Sequence, residues 1–112
     1  MKLYADYIKE REGKECKYDE NCFITYKLYD DEVSIIDIYS SQETRGTGKM
    51  LDFVNEFFQE MREMGVKIAY GYTDENTNGW EKSERLMLKF GFKKIMKEDN
   101  YNNYILNIEE IL

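Results

Sequence analysis

Apolar and polar residues change their period several times along the chain, and each change marks an element. Leu3 to Ile8 and Cys22 to Tyr29 carry aromatic and β-branched side chains at strand spacing. The charged stretch Lys9 to Asn21 reads as a loop between them, and Asp30-Asp31 as a turn. Val33 to Tyr39 is the strongest strand of the first half. Strict alternation puts Val33, Ile35, Asp37 and Tyr39 on one face, Ile36 and Ile38 on the other.

From Lys49 to Met64 the period becomes helical. Met50, Val54, Phe57, Met61 and Met64 fall on one stripe, which Leu51 and Phe58 widen, and Gly65 stands where a helix ends in a left-handed residue. Val66 to Tyr72 follows as a strand. A strand, a crossover helix and a second strand form a βαβ unit, so the two strands should be parallel neighbours. After a polar loop, Asp74 to Gly79, comes a shorter helix, Glu81 to Phe90, stopped by Gly91. Phe92 to Met96 and Tyr101 to Ile108 then read as an antiparallel hairpin across Lys97 to Asn100. The order predicts an α/β fold of the α+β kind, a mixed sheet with flanking helices.

Composition sets the limits of this picture. The 112 residues, with no proline, linker or repeat, are one compact domain's worth, 1–112. Tyr, Phe and Trp80 together supply bulk for its core. The chain has no apolar run of membrane-spanning length and places Asp6 where an export signal needs apolar residues, so a cytoplasmic protein with no membrane partner is expected. The net charge is -7, and no basic cluster exceeds Lys93-Lys94, which argues against direct nucleic-acid binding. Such a balance suits a cationic partner, a lysine-rich protein surface or a polyamine, although acidity also serves plain solubility. The chain has no histidine, which removes imidazole-based nucleophile and metal sites, and Cys16 and Cys22 cannot by themselves complete a zinc shell. They read as reduced thiols without a role, and no metal is expected.

The chemistry sits at the junction of the first βαβ strand with its helix, Glu43-Thr44-Arg45-Gly46-Thr47-Gly48-Lys49. Two glycines allow a tight turn and close approach of a ligand. The amides of Arg45 to Lys49 can then face a phosphate at the positive end of the helix, with the Arg45 and Lys49 side chains adding charge. Steric demands of a turn alone would also select glycine here. Two other phosphate loops do not fit: a dinucleotide fingerprint needs glycine at Leu51, and a P-loop needs Ser or Thr at Met50.

The element order, with Gly46-x-Gly48 opening the first long helix and Gly91-Phe92 closing the second, resembles the GNAT family of acetyl-CoA-dependent N-acetyltransferases over Val33 to roughly Ile108. In the family's pyrophosphate signature Glu43 stands at the usual Gln or Arg, while Arg45 before Gly46 agrees with a frequent variant. Of its second stretch, Leu86, Lys89, Gly91 and Phe92 match, Asn76 and Ser83 fall at related positions, and Met87 replaces a tyrosine. The resemblance implies a GNAT-like fold whose parallel strands splay to admit the cofactor's pantetheine arm beside Tyr39 to Ser41. Ala69 and Gly71 on the second strand suit that splay, or equally close helix packing.

It further implies an acetyl-CoA-dependent transfer to a primary amine, such as a protein lysine, by direct attack. Ser40, Ser41, Arg45, Gly46, Thr47, Gly48, Lys49, Asn76 and Ser83 would bind the cofactor, and an amide near Ser40 or Ser41 would face the thioester oxygen. Asp37 is the first candidate for the base, ahead of Glu43 and Asp74. Tyr72 or Tyr39 could supply the proton that Met87 cannot. Only 32 residues precede Val33, so the helical lid usual over the acceptor site is expected to be reduced or missing. In this shortness the chain also resembles phage-encoded anti-CRISPR acetyltransferases that modify a lysine of a host effector. The alternative is a weak or inactive module of the same fold that binds CoA or a basic protein. The pattern favours neither a monomer nor a homodimer.

Overall fold

The computed structural model describes residues 1–110. Helix α1 (Lys2–Glu12) leads into strands β1 (Glu15–Tyr18), β2 (Cys22–Tyr29) and β3 (Glu32–Ser40). A short 3-10 turn (Gln42–Thr44) precedes α2 (Lys49–Glu63), then β4 (Ile68–Asp74), α3 (Trp80–Phe90), β5 (Lys93–Glu98) and β6 (Tyr101–Asn107). The six strands form one sheet in the order β1-β2-β3-β4-β6-β5. Among the described residues only β3 and β4 pair in parallel, as the βαβ reading required; the other neighbours are antiparallel.

Helix α2 lays Phe53, Val54, Phe57, Phe58 and Met61 on one face of the sheet, against Ile24, Val33, Ile35, Ala69, Tyr104 and Leu106. Phe57 is fully buried and meets Tyr26 and Phe58 edge to face. Helix α3 packs beside α2 through Phe90, whose ring centroid lies 6.1 Å from that of Phe58. The aromatic supply is divided between core and surface. Tyr7, Tyr18, Tyr29, Tyr39, Tyr72 and Tyr101 are exposed and Trp80 only half-buried, so the core owes its bulk to the phenylalanines and Tyr104. Met64, expected on the buried stripe, lies past the end of α2 and is exposed. Among the described residues no helix is long and apolar enough to cross a membrane.

Three local expectations are corrected. Leu3 to Ile8 belongs to helix α1, not to a strand: Leu3, Tyr4, Tyr7 and Ile8 also fit a helical stripe, and Lys2 and Asp6 pair one turn apart at 3.1 Å. Gly13, at φ 66, ends that helix, and its amide faces the carbonyls of Ile8 and Lys9. The supposed loop Lys9 to Asn21 contains the end of α1 and all of β1, whose charged residues hid a short edge strand. Cys16 and Cys22 accordingly lie on strands, and both are free thiols.

Strand β3 departs from strict alternation. Thr25 pairs with Asp37 and Tyr26 with Ile35, leaving Ile36 as an extra residue. This bulge resets the alternation. Ile35 and Ile38 both face the helical core, while Asp37 and Tyr39 turn to the opposite face. There α1 packs, with Tyr4 edge-on to Phe23 at 6.0 Å.

Helix packing accounts for Gly71 on β4. A Cβ there would lie 3.0 Å from the Met87 sulfur and 3.6 Å from the Phe92 ring. Gly71→Ala is therefore expected to destabilise by roughly 1–2 kcal/mol through overpacking. In a Met87→Ala background most of that cost should disappear, a coupling that a double-mutant cycle in urea would measure.

Candidate active site

The parallel pairing of β3 and β4 lasts three residue pairs, Glu32 with Ile68, Val33 with Ala69 and Ser34 with Tyr70. Beyond Ser34 the strands part. On its other side β3 stays paired with β2 as far as Ser40, and β4 with β6 as far as Asp74, so the opening is confined to their shared edge. The resulting cleft measures about 360 Å³. Ile35 to Ile38 line one side and Gly71 to Asp74 the other; Met50, Val54 and Phe58 of α2 lie beneath, and α3 adds Ser83, Leu86, Met87 and Phe90. Two diverging strands leave backbone donors and acceptors unpaired along a predominantly apolar slot, the geometry that receives an extended, amide-containing chain as an added strand.

The turn before α2 follows the end of β3, beyond the point where the strands part. Gly46 and Gly48 adopt φ 82 and φ 85, which side-chain-bearing residues rarely reach. The Thr44 carbonyl accepts the Thr47 amide at 3.1 Å and also the Thr47 hydroxyl, and Thr47 Oγ1 accepts the Lys49 amide at 3.3 Å. The amides of Gly46, Gly48, Met50 and Leu51 have no partner among the described residues. At a helix start such amides, together with the positive end of the macrodipole, form an anion cradle.

Of the polar groups predicted around this turn, Ser41 and Arg45 have internal partners. The Ser41 amide donates to the Asn21 carbonyl at 2.8 Å, and its hydroxyl lies 2.6 Å from that of Thr44. Arg45 folds back, its Nη2 donating to the Ser40 carbonyl at 3.3 Å and its guanidinium 5.6 Å over the Tyr39 ring. Ser40 is buried at the end of β3, and Lys49 and Glu43 are exposed. Ser83 lines the cleft. Asn76 does not; its amide donates to Asp74 Oδ1 at 2.9 Å, turning the loop so that Thr77 and Trp80 face the cleft instead. No periodic signal marked Thr77 or Trp80, since both follow from where that loop turns.

The bulge in β3 brings Asp37, Tyr39 and Tyr72 to the same face of the sheet. Asp37 accepts a hydrogen bond from the Thr25 hydroxyl at 3.0 Å and reaches the cleft. Tyr39 is held in a stack with Phe23, centroids 5.5 Å apart. The Tyr72 ring lies 6.1 Å from Tyr101; burial, followed by the nearby Asp37 carboxylate, raises the Tyr72 pKa and keeps its phenol protonated. On this face a second cavity of about 450 Å³ opens between Tyr70, Tyr72, Tyr101 and the β5–β6 turn. Ile35, Gly71, Tyr72 and Tyr101 line both cavities, so the two meet through the sheet where β3 and β4 part.

Behind the cleft wall a buried polar chain joins β4, β6 and α3. Tyr104 Oη lies 2.8 Å from Thr73 Oγ1 and donates to Glu84 at 2.9 Å, and Glu84 pairs with Lys94 at 3.0 Å. Asn102 Nδ2 donates to Thr73 at 3.2 Å and to Glu75 at 2.9 Å. Burial and then the bond to Glu84 push the Tyr104 pKa up to about 12 from its ordinary 10.0. A folded-state pKa raised in this way contributes stability that is complete below pH 10 and lost as pH rises through 12. Alkaline titration of stability should therefore show a steeper loss between pH 10 and 12 in the wild type than in Tyr104→Phe, measured by urea midpoints at each pH.

This fold is similar to that of solved GNAT acetyltransferases. The ribosomal-protein-S18-alanine N-acetyltransferase of Escherichia coli matches with a TM-score of 0.70 at 15% identity, over 96% of this chain and 76% of that one. A GNAT family acetyltransferase from Elizabethkingia anophelis, solved with acetyl-CoA bound, matches with 0.69 at 13%, over 95% and 82%. The PaiA N-acetyltransferase of Thermoplasma acidophilum, in complex with coenzyme A, matches with 0.69 at 15%, over 78% and 53%. Against several further neighbours of this fold the chain spans only 59 to 65% of their length. No protein-family model matches the sequence, and no curated protein matches it.

Proposed function

We propose that this protein is an acetyl-CoA-dependent N-acetyltransferase that acts on a primary amine, with a protein lysine as the favoured acceptor. The observation that carries the reading is the pairing of a strand splay with a cradle of unpartnered amides at the start of α2. The first suits the amide-bearing arm of coenzyme A and the second its diphosphate. Solved structures with this fold include complexes of coenzyme A and acetyl-CoA.

When bound, acetyl-CoA supplies an activated acetyl thioester. The chain's own groups then deal with two protons. A lysine amine near pH 7.4 is neutral in only about one molecule in a thousand, so a base that removes its proton can lower the barrier by up to roughly 4 kcal/mol. Asp37 is the base in this reading, supported by its hydrogen bond from Thr25 and by its position on the lining of the cleft. Tyr72 is the proton donor to the departing sulfur, its phenol kept protonated by burial. Tyr39, stacked and covered by Arg45, positions the end of β3. With the Ser41 amide engaged by Asn21, the donor to the thioester oxygen falls to the free edge of β3 at residues 36–40.

The protein-lysine acceptor draws on the open second cavity, since no helix lies between β1 and β2 to enclose it. The lysine of a host CRISPR effector, which the resemblance to phage-encoded acetyltransferases implies, belongs to the same proposal. A second reading, a CoA-binding module without catalysis, is favoured by Met87, whose sulfur packs against Gly71 and can donate no proton.

Two measurements separate these readings. Calorimetric titration should show acetyl-CoA binding that Gly48→Ala weakens by about tenfold, because a left-handed backbone costs a side-chain-bearing residue on the order of 1–3 kcal/mol; absence of binding to the wild type sinks both. With lysine peptides and acetyl-CoA, free thiol release should fall by roughly 10²-fold in Asp37→Asn while cofactor affinity holds. Tight cofactor binding with no acetylated product by mass spectrometry would favour the module.

A further inference from the structure

The second cavity, on the sheet face away from α2 and α3, has a chemical character the cleft lacks. Tyr70, Tyr72 and Tyr101 wall it, Glu98 and Asp99 stand at the end formed by the β5–β6 turn, and no lysine or arginine lines it. On this hairpin Lys93, opposite Ile105, shares the groove's face at the far end of β5 but does not line the cavity. Lys94 and Lys97 point to the α3 side and are paired there with Glu84 and Glu75 at 3.0 and 2.9 Å. Glu98 and Asp99 enter no ion pair among the described residues. The turn is tied down, since the Asn100 carbonyl accepts the Glu75 amide at 2.8 Å. Tyrosine faces backed by carboxylates favour an ammonium or guanidinium over a neutral ligand.

Position supplies the spacing. Glu98 pairs with Tyr101 of β6, and Tyr101 with Asp74 of β4, two residues beyond Tyr72. With strands about 4.8 Å apart and about 3.4 Å between residues, Glu98 lies roughly 10–12 Å from Tyr72 at the meeting point of the cavities. Resting on the acetyltransferase reading, we infer that the amine acceptor carries a second positive charge roughly 10 Å from its reacting nitrogen, and that Glu98 and Asp99 read it in the tyrosine-walled groove. An extended peptide covers about 10 Å in three residues, so a lysine with another cationic residue three positions away meets the requirement, as does a triamine such as spermidine. A monocationic amine leaves the two carboxylates without a partner.

The test is calorimetric titration of acceptors into the protein, with and without coenzyme A, for the wild type and Glu98→Gln/Asp99→Asn. One peptide pair carries an acceptor lysine with Lys or Gln three residues to either side; a small-molecule pair is spermidine and butylamine. The more highly charged member of at least one pair should bind the wild type about fivefold more tightly, as two exposed ion pairs allow. That ratio should fall toward one in the variant and at high salt. A gain confined to the peptides identifies a protein segment and one confined to spermidine a polyamine; both support the inference. Equal binding within both pairs by the wild type, or a preference undiminished in the variant, overturns it. The variant's Tm and its acetyl-CoA affinity establish that it is folded. Failure of acetyl-CoA to bind the wild type sinks the acetyltransferase reading alone, because the acceptor ratios are read independently without the cofactor.

Discussion

The structure depends on a hydrogen-bond ladder that stops. Strands β3 and β4 are joined for three pairs where α2's crossover ends and then separate, although each remains laddered to its other neighbour. Unpaired backbone groups in an apolar setting are costly unless water or a ligand satisfies them, so the fold maintains the gap by filling its floor from one side only. The α2 side chains Met50, Val54 and Phe58 support the cleft from beneath without bridging it. The β3 bulge at Ile36 serves the same end. It keeps Ile35 and Ile38 in the core while delivering Asp37 to the other side of the sheet, so apolar support and a carboxylate come from neighbouring residues of one strand.

The two faces thereby acquire different characters. The helical face is filled by phenylalanines and closed by α2 and α3. On the other face α1 is anchored by one fully buried side chain, Ile8, and by the contact of Tyr4 with Phe23, leaving the β4-β6-β5 half uncovered. Exposed tyrosines therefore gather there at little cost to the core, each offering an apolar body with a polar tip.

Much of this was legible in the sequence, for identifiable reasons. The helical stripe of α2, the βαβ unit and the closing hairpin are long patterns with clear periods, and Gly65 and Gly91 mark their helix ends by φ 87 and φ 105. Asp37, Tyr72 and Ser83 line the cleft, and Gly46 and Gly48 form the turn ahead of α2. Short elements with mixed composition were less legible. Leu3 to Ile8 fits two periods, and what separates them, the Lys2–Asp6 spacing and Gly13 at the helix end, is short and weak. The bulge leaves no trace in alternation, because it is decided by which β2 residues Asp37 and Ile35 pair with. Asn76 missed the cleft since its loop direction is set by the Asp74 side chain rather than by spacing.

Helix α3 differs from α1 and α2 in having no fully buried residue. It rests on half-buried Met87 and Phe90 and on the polar tie from Glu84 to Tyr104. Elements held so lightly open locally at a free energy well below that of the whole domain. The width of the slot is thus governed by its most yielding wall. Any occupant must first spend part of its interaction energy on stilling that helix, and its measured affinity will understate the quality of the contacts it makes.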